Sequence, residues 1–209
     1  MDETSKKAIL FLYEGETEGE FYPRIFKSYL DFENRRVRLS SQCLKGNFNI
    51  NSKVVNSIYN YIAYLKKKDN INSIYVYVAL DRDKREEFMA PIDLTNIRQK
   101  VGSNLVKSIE IIVATQDFES WLFIDAENIY KFLRTPVHLR NSAKYKNYQS
   151  FNNKDLSKLF SQNDRQYKKG KKVEGLLNSL NLEKIYENCQ DLKNGIESMK
   201  ACIEPVKKR

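Results

Sequence analysis

The chain carries a single histidine, His138, in 209 residues. Acid–base chemistry by a pair of histidines is therefore impossible within one chain, and a His-metal finger or a ββα-metal nuclease is disfavoured. The three cysteines, Cys43, Cys189 and Cys202, are scattered with no CxxC spacing. The usual donor set of zinc is missing, and such thiols fit a reducing compartment. Glycine (7) and proline (4) are few, unlike a disordered or low-complexity chain. No apolar run approaches the length that spans a bilayer. The first apolar run is short and soon meets Glu14, which does not suit a signal peptide. The expectation is a cytoplasmic protein. Neither GxxxxGK[ST] nor GxGxxG occurs, so neither a P-loop nor a dinucleotide fold is indicated. Any catalysis must use carboxylates, lysines, hydroxyls and a metal.

What is present suffices for a core: 41% of the residues are hydrophobic and 12% aromatic. The length suits one α/β domain, alone or with a helical extension. Lys and Arg outnumber Asp and Glu by 36 to 27, a net charge of +9. That excess favours polyanionic partners, nucleic acid first, because neutralised phosphates release counterions. A lysine-rich composition also arises in AT-rich bacterial genomes without any such partner.

Residues Ala8–Tyr13 (AILFLY), Ser73–Leu80 (SIYVYVAL) and Ser108–Ala114 (SIEIIVA) are continuous apolar runs, the pattern of strands buried on both faces. Between them lie helical patterns. The first runs from Thr17 to about Asp31, with Phe21, Ile25, Phe26 and Tyr29 on its apolar face and Thr17 and Glu20 as a capping box. A second covers Val54–Lys67, with Val55, Ile58, Tyr59, Ile62 and Leu65 on one side, and a third about Leu94–Gly102. Arg36–Cys43 reads as a short edge strand. The alternation predicts an α/β fold with a doubly wound, mostly parallel sheet, Rossmann-like in its winding. The expected division is an α/β domain over residues 1–125, then a loop excursion and a helical cap over 126–209 that packs on it. Within the second part, Lys131–Tyr148 shows little periodicity and is expected on the surface.

All three buried strands are followed by acids. Glu14 ends the first, Asp81 and Asp83 the second, and Glu119 comes shortly after the third. Ligands of open α/β sheets gather outside the carboxyl ends of strands, and residues two apart in an extended segment face the same way. Converging carboxylates repel unless a hard divalent cation joins them. Oxygen-only ligation suits Mg²⁺ or Mn²⁺. Acids after strands also serve plain solvation and the N-terminus of the next helix. Glu16 and Glu20 are assigned to those duties, while Glu18 faces the same crevice as a further ligand or a supporting group.

The buried strand followed by Glu-Gly-x-Thr-Glu (Glu14 to Glu18), and the later buried strand ending Asp-x-Asp, resemble the Toprim domain. That domain is shared by topoisomerases, bacterial primases and nucleases of the overcoming-lysogenisation-defect type. Phe118-Glu119-Ser120-Trp121-Leu122 and the lysine-rich helices beyond it resemble the stand-alone RloB-like Toprim proteins linked to phage defence. The resemblance implies a magnesium-dependent nuclease, with Glu14 as metal ligand and proton-transfer group and Asp81 and Asp83 as metal ligands. Glu18 and Glu119 follow as supporting acids. It also raises an ATPase partner, as in defence systems. One departure is the basic loop of Arg82, Lys84 and Arg85, which either docks a phosphate backbone or offsets the acids. Lys45, in a Gly-containing loop, is the first choice for a lysine steadying transition-state charge. Lys168, Lys169, Lys171 and Lys172, flanking Gly170, are the second choice and a candidate phosphate-binding run. Trp121 is expected in the core, and Tyr145 and Tyr148 are either base-stacking or part of a loose excursion.

Two other readings compete. One is a binding or regulatory module that keeps the fold and the metal without turnover. The other is a phosphatase-like hydrolase with Asp81 as nucleophile and Asp83 as acid, but its Asp-x-Asp should follow the first strand rather than a later one. DNA and RNA are not distinguished by these residues.

Overall fold

The N-terminal apolar run forms strand β1 (Lys6–Tyr13), whose alternate side chains enter two separate cores. Ile9 and Phe11 point to one face; Ala8, Leu10 and Leu12 point to the other. A strand covered on both sides needs no polar alternation, which is why the run is continuous. Strand β3 (Ile71–Arg82) repeats the arrangement, sending Tyr77 and Ala79 into the first core and Ile74, Val76, Val78 and Leu80 into the second. These features come from a computed structural model that describes residues 6–31, 37–67, 71–82 and 92–203, without the side chains of Lys6 and Lys171.

Among the described residues the sheet has four parallel strands in the order β2-β1-β3-β4, with β2 at Arg38–Cys43 and β4 at Val106–Thr115. The second strand is an edge strand, as its charged, polar sequence suggested. Helix α1 (Glu16–Tyr29) covers the first face through Phe21, Tyr22, Ile25 and Phe26. Helices α2 (Ile50–Lys66) and α3 (Leu94–Val101) cover the second. Two local expectations shift. Tyr59 leaves the apolar face of α2, standing exposed with its hydroxyl donating to the Lys100 carbonyl. The cap of α1 is Gly15, whose N–H donates to the Glu18 carboxylate, so Glu18 rather than Glu20 reaches back. Thr17 is instead used across the molecule, its Oγ1 accepting from Gly170 N at 3.1 Å.

Beyond β4 the chain is helical: α4 (Glu119–Leu122), α5 (Ala126–Leu133), α6 (Asn153–Ser161), α7 (Glu174–Ser179), α8 (Leu182–Asn188) and α9 (Gln190–Ile203). Their apolar residues, from Trp121 to Ile203, are continuous with the core of the first sheet face. Trp121 is fully buried there, in edge contact with Phe118. The stretch read as a surface excursion is tied down by short 3-10 turns. Tyr145 stacks on Phe123 with centroids 4.6 Å apart and is buried, so it is a core residue rather than a platform for bases. Arg140 pairs with Glu127 at 2.9 Å. Helix α9 approaches β4 so closely at Gly195 that a Cβ there would lie 2.4 Å from Ile112 Cδ1. Among the described residues, no helix is long and apolar enough to cross a membrane.

Candidate functional site

From β1 the chain goes to β2 on one side and later to β3 and β4 on the other, so the winding reverses between β1 and β3. That reversal opens a crevice at the carboxyl ends of the two strands. Glu14 directly follows β1 and Asp81 lies at the end of β3. Glu14 Oε2 accepts from Asp81 N at 3.2 Å, and Asp81 Oδ1 accepts from Phe118 N at 2.8 Å. Backbone donors thus stitch three strand ends together through two carboxylates. Glu18, on the first turn of α1, and Glu119, opening α4, are 4% and 1% exposed. All four acids line one cavity of about 50 Å³ with Gly15, Thr17, Phe118 and Lys169. That is room for an ion or a few waters.

Burial and crowding favour the protonated forms of Asp81, Glu18 and Glu14. The Asp81 carboxyl is pushed up to about 9, by burial first and then by the charges of Glu18, Glu14, Glu119 and Asp117. Burial raises Glu18 to about 8; the Gly15 N–H opposes this, while Glu14 and Glu119 add to it. Glu14 is raised by burial, against the Asp81 N–H and the cations Lys169 and Lys53. A cluster of this kind either keeps protons at neutral pH or takes a cation in their place.

One cation of the chain already reaches in. Lys169 Nζ lies 3.1 Å from Glu119 Oε1, and the Tyr167 hydroxyl donates to the same oxygen at 2.9 Å. Burial pulls the Lys169 ammonium down in pKa, but Glu119, Asp117 and Asp81 outweigh it and the net shift is upward. The turn that delivers it depends on Gly170, at φ +72°, where a Cβ would lie 2.6 Å from Glu16 Oε2. Left-handed backbone and a close approach both favour glycine here.

Of the residues singled out from sequence, Glu14, Glu18, Asp81, Glu119 and Lys169 come together. Lys168, Lys169 and Lys172 line an adjoining groove of about 790 Å³ with Tyr13, Glu16, Gly19, Glu20 and Cys43. Lys45 is exposed at φ 55°, its carbonyl accepting from Lys53 Nζ at 3.0 Å. Arg82 is half-buried, and its charge bears on Asp191. Asp83, Lys84 and Arg85 lie outside the described residues, as does the Lys171 side chain. Sequence reasoning passed over Asp117, Tyr167 and Lys53, and gave Thr17 only the part of a helix cap. Asp117 is buried and raised to about 6, by burial and then by Glu119. Its Oδ2 accepts from Asn153 N at 2.7 Å, while its Oδ1 is buried without a hydrogen-bond partner. The signal for it was its place two residues before Glu119, in the same strand-end segment.

The donors are all oxygen, the chemistry that suits a hard cation such as magnesium or manganese, although Lys169 already supplies one positive charge at Glu119. As the side chains stand, no group of three or more His, Cys, Asp or Glu among the described residues is placed to hold one ion jointly. Glu18 is engaged with Gly15, and Glu119 with Lys169 and Tyr167. Occupation therefore requires these side chains to exchange partners.

The fold has relatives. The C-terminal region of the OLD protein from Xanthomonas campestris pv. campestris superposes with a TM-score of 0.50 at 15% identity, covering 96% of this chain and 97% of that one. The corresponding region of the Burkholderia pseudomallei OLD protein gives 0.46 at 17% identity, over 94% and 98% of the two chains. At such identity the likeness is one of fold, and it rests on the first of the two. No match was found among curated proteins. Residues 13–199, which hold Glu14, Asp81, Glu119 and Lys169, match a family profile described as Domain of unknown function (DUF4276), and the chain belongs to that family.

Proposed function

We propose that this protein is a Toprim-type nuclease that hydrolyses phosphodiester bonds with Mg²⁺ or Mn²⁺. The observation that carries the reading is the convergence of Glu14, Glu18, Asp81 and Glu119 on one cavity at the reversal of strand winding, with Asp81 raised to about 9. The fold shared with an OLD C-terminal region and the net charge of +9 support it.

Glu14, Asp81 and Glu119 would hold the ion, with Glu18 behind them and Asp83 as a candidate from beyond the described residues. When bound, the ion would activate water and neutralise the phosphate. Glu14 lies half-buried at the mouth of the cavity with a raised pKa, as a group that accepts a proton from an attacking water should. The Asp81 N–H fixes its Oε2. Lys169 offers a positive charge to the phosphate oxygens once Glu119 is otherwise engaged. Lys168 and Lys172 extend that charge along the groove, where a nucleic-acid backbone would run. A phage-defence role and an ATPase partner belong to this same reading.

Cleavage of plasmid DNA or of total tRNA should depend on the divalent ion and vanish in Glu14→Gln while that variant still unfolds cooperatively. Cutting that persists in chelator, or in Glu14→Gln, would refute it. The Lys169–Glu119 ion pair favours a second reading, a module that binds nucleic acid without turnover. It would show binding that weakens steeply with salt and no product under any ion.

A further inference from the structure

Glu14 and Asp81 also line a separate pocket of about 340 Å³, together with Asn47, Phe48, Asn49, Ile50 and Leu80. Phe48 is 79% exposed, so its ring faces are open to a ligand at this pocket. The loop that presents it is held firmly. Gly46 N donates to the Glu14 carbonyl at 3.0 Å, and Ile50 N donates to the Asn47 carbonyl at 3.0 Å. Lys53 Nζ donates to the carbonyls of Lys45 and Gly46, each at 3.0 Å. Lys45, Gly46 and Asn49 all adopt left-handed backbone, folding the loop tightly over the strand end. The backbone that carries the ring is thus tied to the end of β1 at Glu14.

The lining is mixed: the amides of Asn47 and Asn49 and the carboxylates of Glu14 and Asp81 stand beside Ile50 and Leu80, and Lys53 bears on Glu14. Helix α2 begins in the same pocket, with no acid in its first turn and no side-chain cap from Asn49. Such an end accepts a phosphate oxygen. A flat apolar face, amide groups for hydrogen bonding and an anion-accepting helix end match an unpaired nucleotide.

We infer that Phe48 is a base-stacking residue, seating an unpaired nucleobase beside Glu14 and Asp81 so that the adjoining phosphate lies at the acids. This deepens the nuclease reading and rests on it. It makes the substrate a single strand or a loop with bases free to unstack, since a base within a duplex has no open face.

The test compares binding of a thymine oligonucleotide and an abasic oligonucleotide of equal length, by fluorescence anisotropy in chelator at fixed salt. The wild-type protein should prefer the base-bearing strand. Phe48→Ala should weaken that strand by about 5- to 100-fold and leave the abasic one unchanged. Phe48→Trp should restore the preference, with its indole emission quenched on binding. If Phe48→Ala binds both strands as the wild type does, stacking is overturned and the nuclease reading stands. If the wild type binds neither strand at any salt, the nucleic-acid reading falls and takes the stacking with it.

Discussion

Replacing Asp81 by asparagine should stabilise this protein in the absence of metal, although the carboxyl is hydrogen-bonded to the Phe118 N–H. The sign follows from the raised pKa. Between about pH 4 and pH 9 the folded chain holds a proton on Asp81 that the unfolded chain releases, so unfolding gains ground as pH rises. Glu18, raised to about 8, acts in the same direction. Glu127 and Glu197 have lowered values and lose their contribution only in acid, below the window considered. One retained proton is worth about 1.4 kcal/mol per pH unit, so from pH 5.5 to 7.5 Asp81 alone should cost the wild type about 3 kcal/mol, and Glu18 adds to that loss. For a chain of this length that lowers the melting midpoint by about 6–12 °C. Asp81→Asn keeps an oxygen for the Phe118 N–H and carries no charge. In chelator its melting curve should be flatter with pH and lie above the wild type at pH 7.5. Added Mg²⁺ should raise the wild type at pH 7.5 and leave Asp81→Asn almost unmoved. Calorimetry across that range decides the matter. A wild-type midpoint that is flat or rising with pH, or an identical fall in Asp81→Asn, would refute the electrostatic account of the site.

Other substitutions probe the scaffold that brings the acids together. Gly195→Ala forces a Cβ to within 2.4 Å of Ile112 Cδ1, so urea unfolding should show a loss of about 1–3 kcal/mol; an unchanged midpoint would mean that α9 slides on β4 freely. Tyr167→Phe removes a hydroxyl donor from buried Glu119 while Lys169 remains, and should lower stability by about 1–2 kcal/mol. If Tyr167→Phe unfolds at the wild-type urea midpoint, that hydroxyl does not hold Glu119.

The strands were legible because a sheet covered on both faces demands uninterrupted apolar runs, and AILFLY, SIYVYVAL and SIEIIVA have no other simple use. The site followed from them: acids after three such runs must lie at one end of a parallel sheet. Other parts carried no periodic signal. Asp117 and Tyr167 join the cluster through Asn153 N and Glu119, contacts spanning 36 and 48 residues, and no local pattern announces such pairings. Thr17 looked like a helix cap because Ser and Thr commonly are, yet its partner is Gly170. Tyr145 sits among lysines and asparagines and still packs into the core, because 3-10 turns bury side chains without a helical repeat.

The most direct test is Mn²⁺ binding by isothermal titration calorimetry at pH 7.5, on the wild type, Glu14→Gln and Asp81→Asn. Saturable binding to one or two sites, strongly weakened in both variants, is the predicted result. No saturable binding to the wild type, or undiminished binding in both variants, would contradict a metal centre built from these acids.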